Sequence, residues 1–531
     1  MPMPPVSMRL SLLCTEAGLP APEDGADVTV YGVTADSRRV REGWLFIALR
    51  GMHTDARQYV RDALDRGAVA IVTERGDGCD TADHLAAGTA PILYVPDVRL
   101  AMAHLFDAWC GHPSRRLRLV GVTGTNGKTS VAAMLAHILE GAGVPCGVIG
   151  TVGARMTGVG ELPSPVGMTT PDPEELYPLL ARMADAHPVS SVPLTVIMEV
   201  TSHALALHKV APLRFAVSVF TNLSPEHLDL HGSMDAYYAV KRRLFENSDV
   251  AVVNADCRWG RMLLAESLSV SHWHICHAAC NDAPAPDRMC PSGIASCTRV
   301  YAEQIAYRGE TGVSFKLTTP TARVRIKCPV PGEFTVMNAL EASAAALALG
   351  VSPAAIRTAL NAFGGVKGRM ERVYPADHRT VFTASVFIDF AHTPDALENL
   401  LKTVHRIRSK GQRIVLVFGC GGDRDPSKRK VMARIASHMA DSIIITSDNS
   451  RTEDPSTIIS DILSGMDKES EFAVIPNRAE AIRFAIRHAR ADDIILLAGK
   501  GHETYEIDRE GCHPFDERQI VQVAIRDYHS R

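Results

Sequence analysis

Apolar runs of four to seven residues alternate with amphipathic stretches along most of the chain, and the change of period separates strands from helices. Near the amino terminus, Val28–Val33, Trp44–Leu49, Ala68–Thr73 and Ile92–Val95 predict strands around one helix, Ala56–Arg66. Pro96 and Asp97 punctuate the chain before the helical stretch Leu100–Cys110, so residues 1–98 are expected to form a first domain. The apolar positions Leu117, Leu119, Val120 and Val122 then predict a buried strand, followed by a helical pattern over Val131–Leu139. Further strands are expected at Val148–Val152, Leu194–Val200 and Phe215–Phe220, with a Gly/Pro-rich loop after the first and a helix over Met234–Phe245. From Arg261 to Lys327 the periodicity weakens, although Arg323, Arg325 and Lys327 alternate with apolar neighbours as in a half-exposed strand. A small-residue helix, Asn338–Leu349, comes before Gly364, Gly365 and Gly368, which close a second domain at residues 99–364. Residues 365–531 then repeat strand and helix: Ser385–Phe390, Pro394–Ile407, Arg413–Phe418, Lys428–Met439, Ser442–Thr446 and two more steps to Asp493–Ala498. That order predicts a doubly wound parallel sheet, whose ligands sit at strand carboxyl ends.

Composition narrows the class. The 531 residues are 46% apolar and 22% charged, as in an ordinary globular protein with ample core. A formal net charge of −4 argues against nucleic acid as a partner held by bulk electrostatics. The opening MPMPPVSMRLSLLC has too short an apolar run for a secretory signal, and no run approaches the length of a membrane span. The twelve cysteines are scattered, so reduced thiols, a cytoplasmic location and no membrane insertion are expected.

The chemistry gathers where strands end. LRLVGVTGTNGKTSV joins a strand to a helix through a turn built on Gly124 and Gly127. Glycines let backbone N–H groups face inward, and the helix start adds unpaired donors with a positive dipole end, which together make a phosphate cradle. Lys128 is suited to the β/γ-phosphates and the Thr129 hydroxyl to Mg²⁺, although Val122 stands where the strict G-x-x-x-x-G-K-[ST] pattern has its first glycine. Glu199 ends a strand of the same sheet, and His227 follows the next one; both are candidates for metal or phosphate contact. Asp36-Ser37-Arg38 reads either as a solvated turn or as a hold for an anionic or sugar ligand. Cys276, Cys280, Cys290 and Cys297, with His272, His274 and His277, lack the paired C-x₂-C spacing of structural zinc sites and read as a surface insertion. In the last domain four polar clusters share one rim: Asp389 with His392, GCGGDRD from Gly419, Ser447–Arg451, and Gly499–Glu503.

Thr123–Thr129 resembles the phosphate loop of the Mur ligases, ATP-dependent amide-bond ligases of peptidoglycan precursor synthesis. Glu199 with Ser202 and His203, Asn222 with His227, Asn338, and Gly368-Arg369-Met370-Glu371 match the same family. The Asp36-Ser37-Arg38, GCGGDRD and GKGHE stretches are similar to the branch that adds the third residue of the stem peptide. The resemblance implies an α/β chain of three domains: an N-terminal one gripping the UDP end, a central P-loop ATPase-like parallel sheet, and a mobile, Rossmann-like C-terminal sheet. It implies ATP contacts at Gly124, Thr125, Asn126, Gly127, Lys128, Thr129, Asn338 and Arg369. UDP-substrate contacts are implied at Ser37, Thr169, Thr170, Thr201 and Lys209, and Mg²⁺ ligands at Thr129, Glu199, His227 and Lys241, the last carried as a carbamate. Amino-acid contacts are implied at Arg424, Asp448, Asn449, Arg451, Gly499 and Glu503, and Lys128, Lys241, His227 and Glu199 are the implied catalytic set. The implied partners are small molecules (a UDP-muramoyl dipeptide, a diamino acid and ATP), and a monomer is expected. Departures from the family pattern are Thr201 for serine, Lys209 for arginine, Lys367 for proline, GMHTDARQY without its second glycine, and Ser450 for the proline of D-N-P-R.

In the family, D-N-P-R goes with diaminopimelate, whose far carboxylate suits the fork of Arg451. Serine at 450 frees the turn and opens lysine or ornithine as alternatives, and Arg451 pairing with Glu453 or Asp454 at the surface is a further reading. A folylpolyglutamate synthetase-like ligase shares the phosphate loop but would lack the Asp36–Arg38 domain and the D-N-x-R cluster. A phosphate-loop switch without amide chemistry is the reading outside ligases. Lys128→Ala is expected to abolish turnover in an ADP-release assay and to leave UDP-dipeptide affinity within about tenfold, roughly 1.4 kcal/mol, in direct titration.

Overall fold

The strand Arg118–Thr123 lies between Thr195–Glu199 and Phe215–Phe220, parallel to both. The computed structural model describes the chain except residues 1–6, 23–26, 52–54, 75–89, 166, 188–191, 227, 267–269, 279–296, 377–381 and 530–531. It forms two compact units: Met1–Tyr301 with Thr318–Ala322 and Asn338–Ile356, and Ala302–Leu317 with Arg323–Met337 and Arg357–Arg531.

In the first unit the strand order is Gly160–Leu162, Gly153–Met156, Cys146–Gly150, Thr195–Glu199, Arg118–Thr123, Phe215–Phe220, Ser248–Asn254, His272–Ala278. The last six are parallel. Chain order reverses beside Arg118–Thr123, so the carboxyl ends of that strand and its two neighbours flank a topological switch point, where such sheets bind ligands. Residues 153–162, expected as loop, instead form an antiparallel hairpin on the edge of the sheet. The stretch expected as a surface insertion is corrected in part: His272–Ala278 is a strand with Trp273, His274, Ile275 and Cys276 buried. Burial on both faces removes the alternation that would have marked it. Cys280 and Cys290 lie outside the described residues, while Cys297 is disulfide-bonded, which departs from the expectation of reduced thiols. The helix Pro173–Ala186 starts with proline and two glutamates, which suit a helix amino terminus, but Pro178 one turn in removes an intrahelical donor and masks the pattern. A four-stranded parallel sheet, Gly32–Thr34, Trp44–Ile47, Ala68–Glu74 and Ile92–Val95, belongs to the same unit. Among the described residues no helix is long and apolar enough to cross a membrane.

The second unit holds a sheet ordered Glu371–Val373, Ser385–Asp389, Ile494–Ala498, Ile414–Phe418, Ser442–Ile445, Phe472–Val474, parallel except for its first strand. Apolar cores cover both faces, as the near-continuous Val/Ile/Leu runs require. Two elements past the last strand had no place in the sequence pattern: the hairpin Tyr505–Asp508/Gly511–Pro514 and the helix Glu517–His529. That helix is anchored by an ion pair with no exposure on either side chain, Arg478 Nε to Glu517 Oε1 at 2.7 Å. The same guanidinium donates to the Ala498 carbonyl (2.9 Å) and to that of Ser447 (3.3 Å), tying two strand ends to it. Arg478→Met leaves the Glu517 carboxylate buried and uncompensated, and is expected to cost about 3–5 kcal/mol, read as an earlier urea transition of the full-length protein.

Candidate functional site

The phosphate loop is shaped by backbone approaches that exclude side chains. Gly124 (φ +146°) passes so close to the next strand's end that a Cβ there would lie 1.9 Å from Thr221 Oγ1. At Gly127 (φ +89°) a Cβ would lie 2.7 Å from Asn338 Oδ1, which brings Asn338 to the loop as expected. Asn222 clasps the loop from outside: its Oδ1 accepts from Asn126 N (3.0 Å), its Nδ2 donates to Asn126 O (3.1 Å), and its carbonyl accepts from Thr125 N (2.9 Å). Lys128 Nζ folds back on the loop, donating to the Gly124 (3.0 Å) and Thr125 (2.8 Å) carbonyls. Lys241 Nζ donates to the same Gly124 carbonyl at 2.9 Å from a fully buried position. Burial, and then the charge of Lys128, hold its ammonium well below the ordinary lysine range. Lys241 therefore sits inside the site, not on a solvated helix face.

Glu199 is buried at its strand end and satisfied by one hydroxyl-rich shell. Thr129 Oγ1 (2.9 Å) and Thr151 Oγ1 (3.0 Å) donate to Oε2, and Thr151 N donates to Oε1 at 2.8 Å. The chain of contacts continues outward. Thr151 meets Thr169 (3.1 Å), Thr170 donates to the Glu199 carbonyl (2.9 Å) and meets Thr201 (3.2 Å), and Lys209 pairs with Asp172 (2.7 Å). Thr169, Thr170, Thr201 and Lys209 thus fall into one network with Glu199. Asp36, Asp172, Arg99 and Lys209 line a cavity of about 230 Å³ beside it. Ser37 starts the 3₁₀ turn that Asp36 caps next to this cavity, and Glu174 fixes the approach by accepting from Thr34 Oγ1 (2.8 Å). Thr151 and Glu174 went unnoticed in the sequence because neither stands in a recognisable motif. His227 lies outside the described residues.

In the second unit the expected amino-acid residues meet at strand carboxyl ends. Asn449 Nδ2 donates to Glu503 Oε2 at 2.8 Å, and a Cβ on Gly499 (φ +121°) would lie 2.6 Å from Asp448 Oδ2. Burial raises the Asp448 carboxyl, but Lys500 and Arg478 outweigh it and hold it below the usual carboxylate range. Glu503 is pushed up, by burial first. Arg451 has φ +53°; its N–H donates to Ile507 O (3.0 Å), and its Nη1 donates to the Gly422 (2.8 Å) and Asn449 (3.3 Å) carbonyls. Among the described residues Nε and Nη2 take no partner, and Glu453 is bound by Arg429 instead, so the surface pairing of Arg451 is set aside. Arg369 lies over the Phe390 ring at 5.2 Å, and Gly368 packs against the Gly501–His502 backbone. Arg424 is exposed, with one weak bond to its neighbour's carbonyl (3.3 Å), and does not join the Asp448–Glu503 cluster.

Three family models match the chain: the Mur ligase family catalytic domain over residues 29–109, the Mur ligase middle domain over 122–346, and the Mur ligase glutamate ligase domain over 368–501. A UDP-N-acetylmuramoyl-L-alanyl-D-glutamate–2,6-diaminopimelate ligase of Chlorobaculum tepidum is 37% identical, covering 94% of each chain. The ligase of the same name from Caldanaerobacter subterraneus is 39% identical, covering 94% of this chain and 96% of its own. A solved structure of a ligase of that name superposes with a TM-score of 0.63 at 31% identity, covering 94% of this chain and 95% of its own. Gly124→Ala, which forces a methyl into Thr221, is expected to lower kcat/KM for ATP at least about a hundredfold, roughly 2.7 kcal/mol, while the thermal transition of the protein moves little.

Proposed function

Because the chain belongs to the Mur ligase family, ATP-dependent ligases that release ADP, we propose that it adds meso-2,6-diaminopimelate to the D-glutamate of UDP-N-acetylmuramoyl-L-alanyl-D-glutamate in peptidoglycan precursor synthesis. The observation that carries the amino-acid assignment is Arg451, whose Nη1 is held by the Gly422 and Asn449 carbonyls while, among the described residues, Nε and Nη2 take no partner; the Asn449 amide in turn donates to Glu503. Meso-diaminopimelate ends in both a carboxylate and an ammonium, and this pairing of charges answers both. Lysine and ornithine end in an ammonium alone and would leave the guanidinium unanswered. Where serine stands for proline at 450, the Arg451 N–H donates to the Ile507 carbonyl, a backbone tie that supports the turn.

The chemistry follows from the residues. A carboxylate resists attack by an amine because oxide leaves poorly; transfer of the ATP γ-phosphoryl to the D-glutamate γ-carboxylate gives an acyl phosphate whose phosphate leaves readily. Two anions must approach, and Lys128, released from the Gly124 and Thr125 carbonyls, places its charge between them. The loop amides around Gly124 and Gly127 hold the phosphates, Asn338 borders the loop, and Arg369 belongs to the nucleotide contacts by its motif. Thr169, Thr170, Thr201 and Lys209 hold the muramoyl peptide, with Ser37 toward the UDP end.

Magnesium fits this oxygen-rich donor set. Thr129 and Glu199 supply a hydroxyl and a carboxylate, the hard ligands Mg²⁺ prefers, and His227 joins them by its motif. A plain ammonium at Lys241 does not fit a cation site, but its burial favours the neutral amine, which adds to CO₂ with loss of a proton to give a carbamate oxygen ligand. Bound there, Mg²⁺ neutralises phosphate charge in the transfer. Purified enzyme given ATP and the UDP-dipeptide is expected to release ADP with meso-diaminopimelate and not with lysine or ornithine. In the same assay Arg451→Ala should raise the diaminopimelate KM at least about tenfold, with the ATP KM little changed. Efficient use of lysine or ornithine with diaminopimelate ignored overturns the amino-acid assignment and leaves the ligase reading standing.

A further inference from the structure

Lys500 is a lysine with no solvent exposure, set among the amino-acid residues of the second unit. Its Nζ donates to Asn449 Oδ1 at 2.9 Å and to the Tyr505 carbonyl at 2.8 Å. Asp448 Oδ1 at 3.7 Å and Glu503 Oε2 at 4.0 Å complete its surroundings. An ammonium has donors and no acceptor, so whatever part of Asn449 faces it must be the carbonyl oxygen. Ile507 N–H, also a donor, reaches the same oxygen at 3.0 Å. With both lone pairs of Oδ1 engaged, the amide NH₂ is turned the other way and meets Glu503 at 2.8 Å.

We propose that Lys500 is a positioning residue for amino-acid selection: through Asn449 it aims the Glu503 carboxylate at the ammonium of the incoming diamino acid. This rests on the diamino-acid reading of the site. The lysine also sets the charge of the pocket. Its Nζ stands 3.7 Å from Asp448 Oδ1 and 4.0 Å from Glu503 Oε2, so one buried cation counters both carboxylates. Without Lys500 two carboxylates face each other in a buried place, the Asn449 amide is free to flip, and Glu503 loses both its aim and its reason to ionise.

The test is a double-mutant cycle on the full-length enzyme, with Lys500→Met, Glu503→Gln and the pair, reading KM for meso-diaminopimelate and for ATP separately. Lys500→Met is expected to raise the diaminopimelate KM at least about tenfold and to leave the ATP KM within about twofold. In the Glu503→Gln background the same lysine change is expected to cost less than about threefold, because its target is gone. Equal losses in both backgrounds, a fall in kcat with both KM values kept, or no change overturns the proposal. Should Lys500→Met not fold, Lys500→Gln, which keeps a donor without the charge, is put through the same cycle, and failure of both to fold overturns it in favour of a purely structural lysine. Wild-type turnover of diaminopimelate in the same assay tests the underlying reading by itself, so the two failures are told apart.

Discussion

A buried carboxylate at a strand end organises the first unit. Glu199 takes hydrogen bonds from Thr129 on the helix after the phosphate loop and from Thr151 after the neighbouring strand, while its own carbonyl accepts from Thr170. Three segments far apart in sequence are held in one place by a single charged group that cannot be left unsatisfied. Removing the hydroxyls of Thr129 and Thr151 would leave the buried carboxylate with the Thr151 N–H as its remaining donor of this set, while Thr169, Thr170 and Thr201 extend the network outward.

Much of this was legible because it depends on local pattern. The parallel strands of both units announce themselves as short Val/Ile/Leu runs, and the phosphate loop as a strand, a glycine turn and a helix start. Polar clusters fall at strand carboxyl ends because doubly wound sheets leave only that rim open. What escaped was decided by tertiary context. The strand His272–Ala278 carries three histidines and a cysteine that read as surface chemistry, yet its neighbours bury His274 and Cys276. Pro178 hides the helix Pro173–Ala186, and the hairpin at 505–514 is too polar and too short to stand out. Thr151 and Lys500 illustrate the same limit in the sites: their importance lies in which atom they face, and spacing along the chain does not encode that.

The two units divide the electrostatic work in opposite senses. Around the phosphate loop cations and backbone donors converge, and burial, followed by the charge of Lys128, drives Lys241 toward its neutral form. Around Asp448 and Glu503 the sense is reversed: burial raises the Glu503 carboxyl while neighbouring cations hold Asp448 down. Recognition on this plan discriminates by what is left unpaired more than by what is gained.

The hairpin Tyr505–Asp508/Gly511–Pro514 accepts from Arg451 N–H through Ile507, donates from Ile507 N–H to Asn449, and donates from Arg509 Nε to the Thr452 carbonyl. A two-stranded ribbon is barely stable by itself, and a turn that holds arginine at positive φ is strained by itself. Each lends order to the other. The turn that carries Arg451 is therefore built jointly from two segments more than fifty residues apart, so a substitution in the ribbon reaches Arg451 through the backbone it holds.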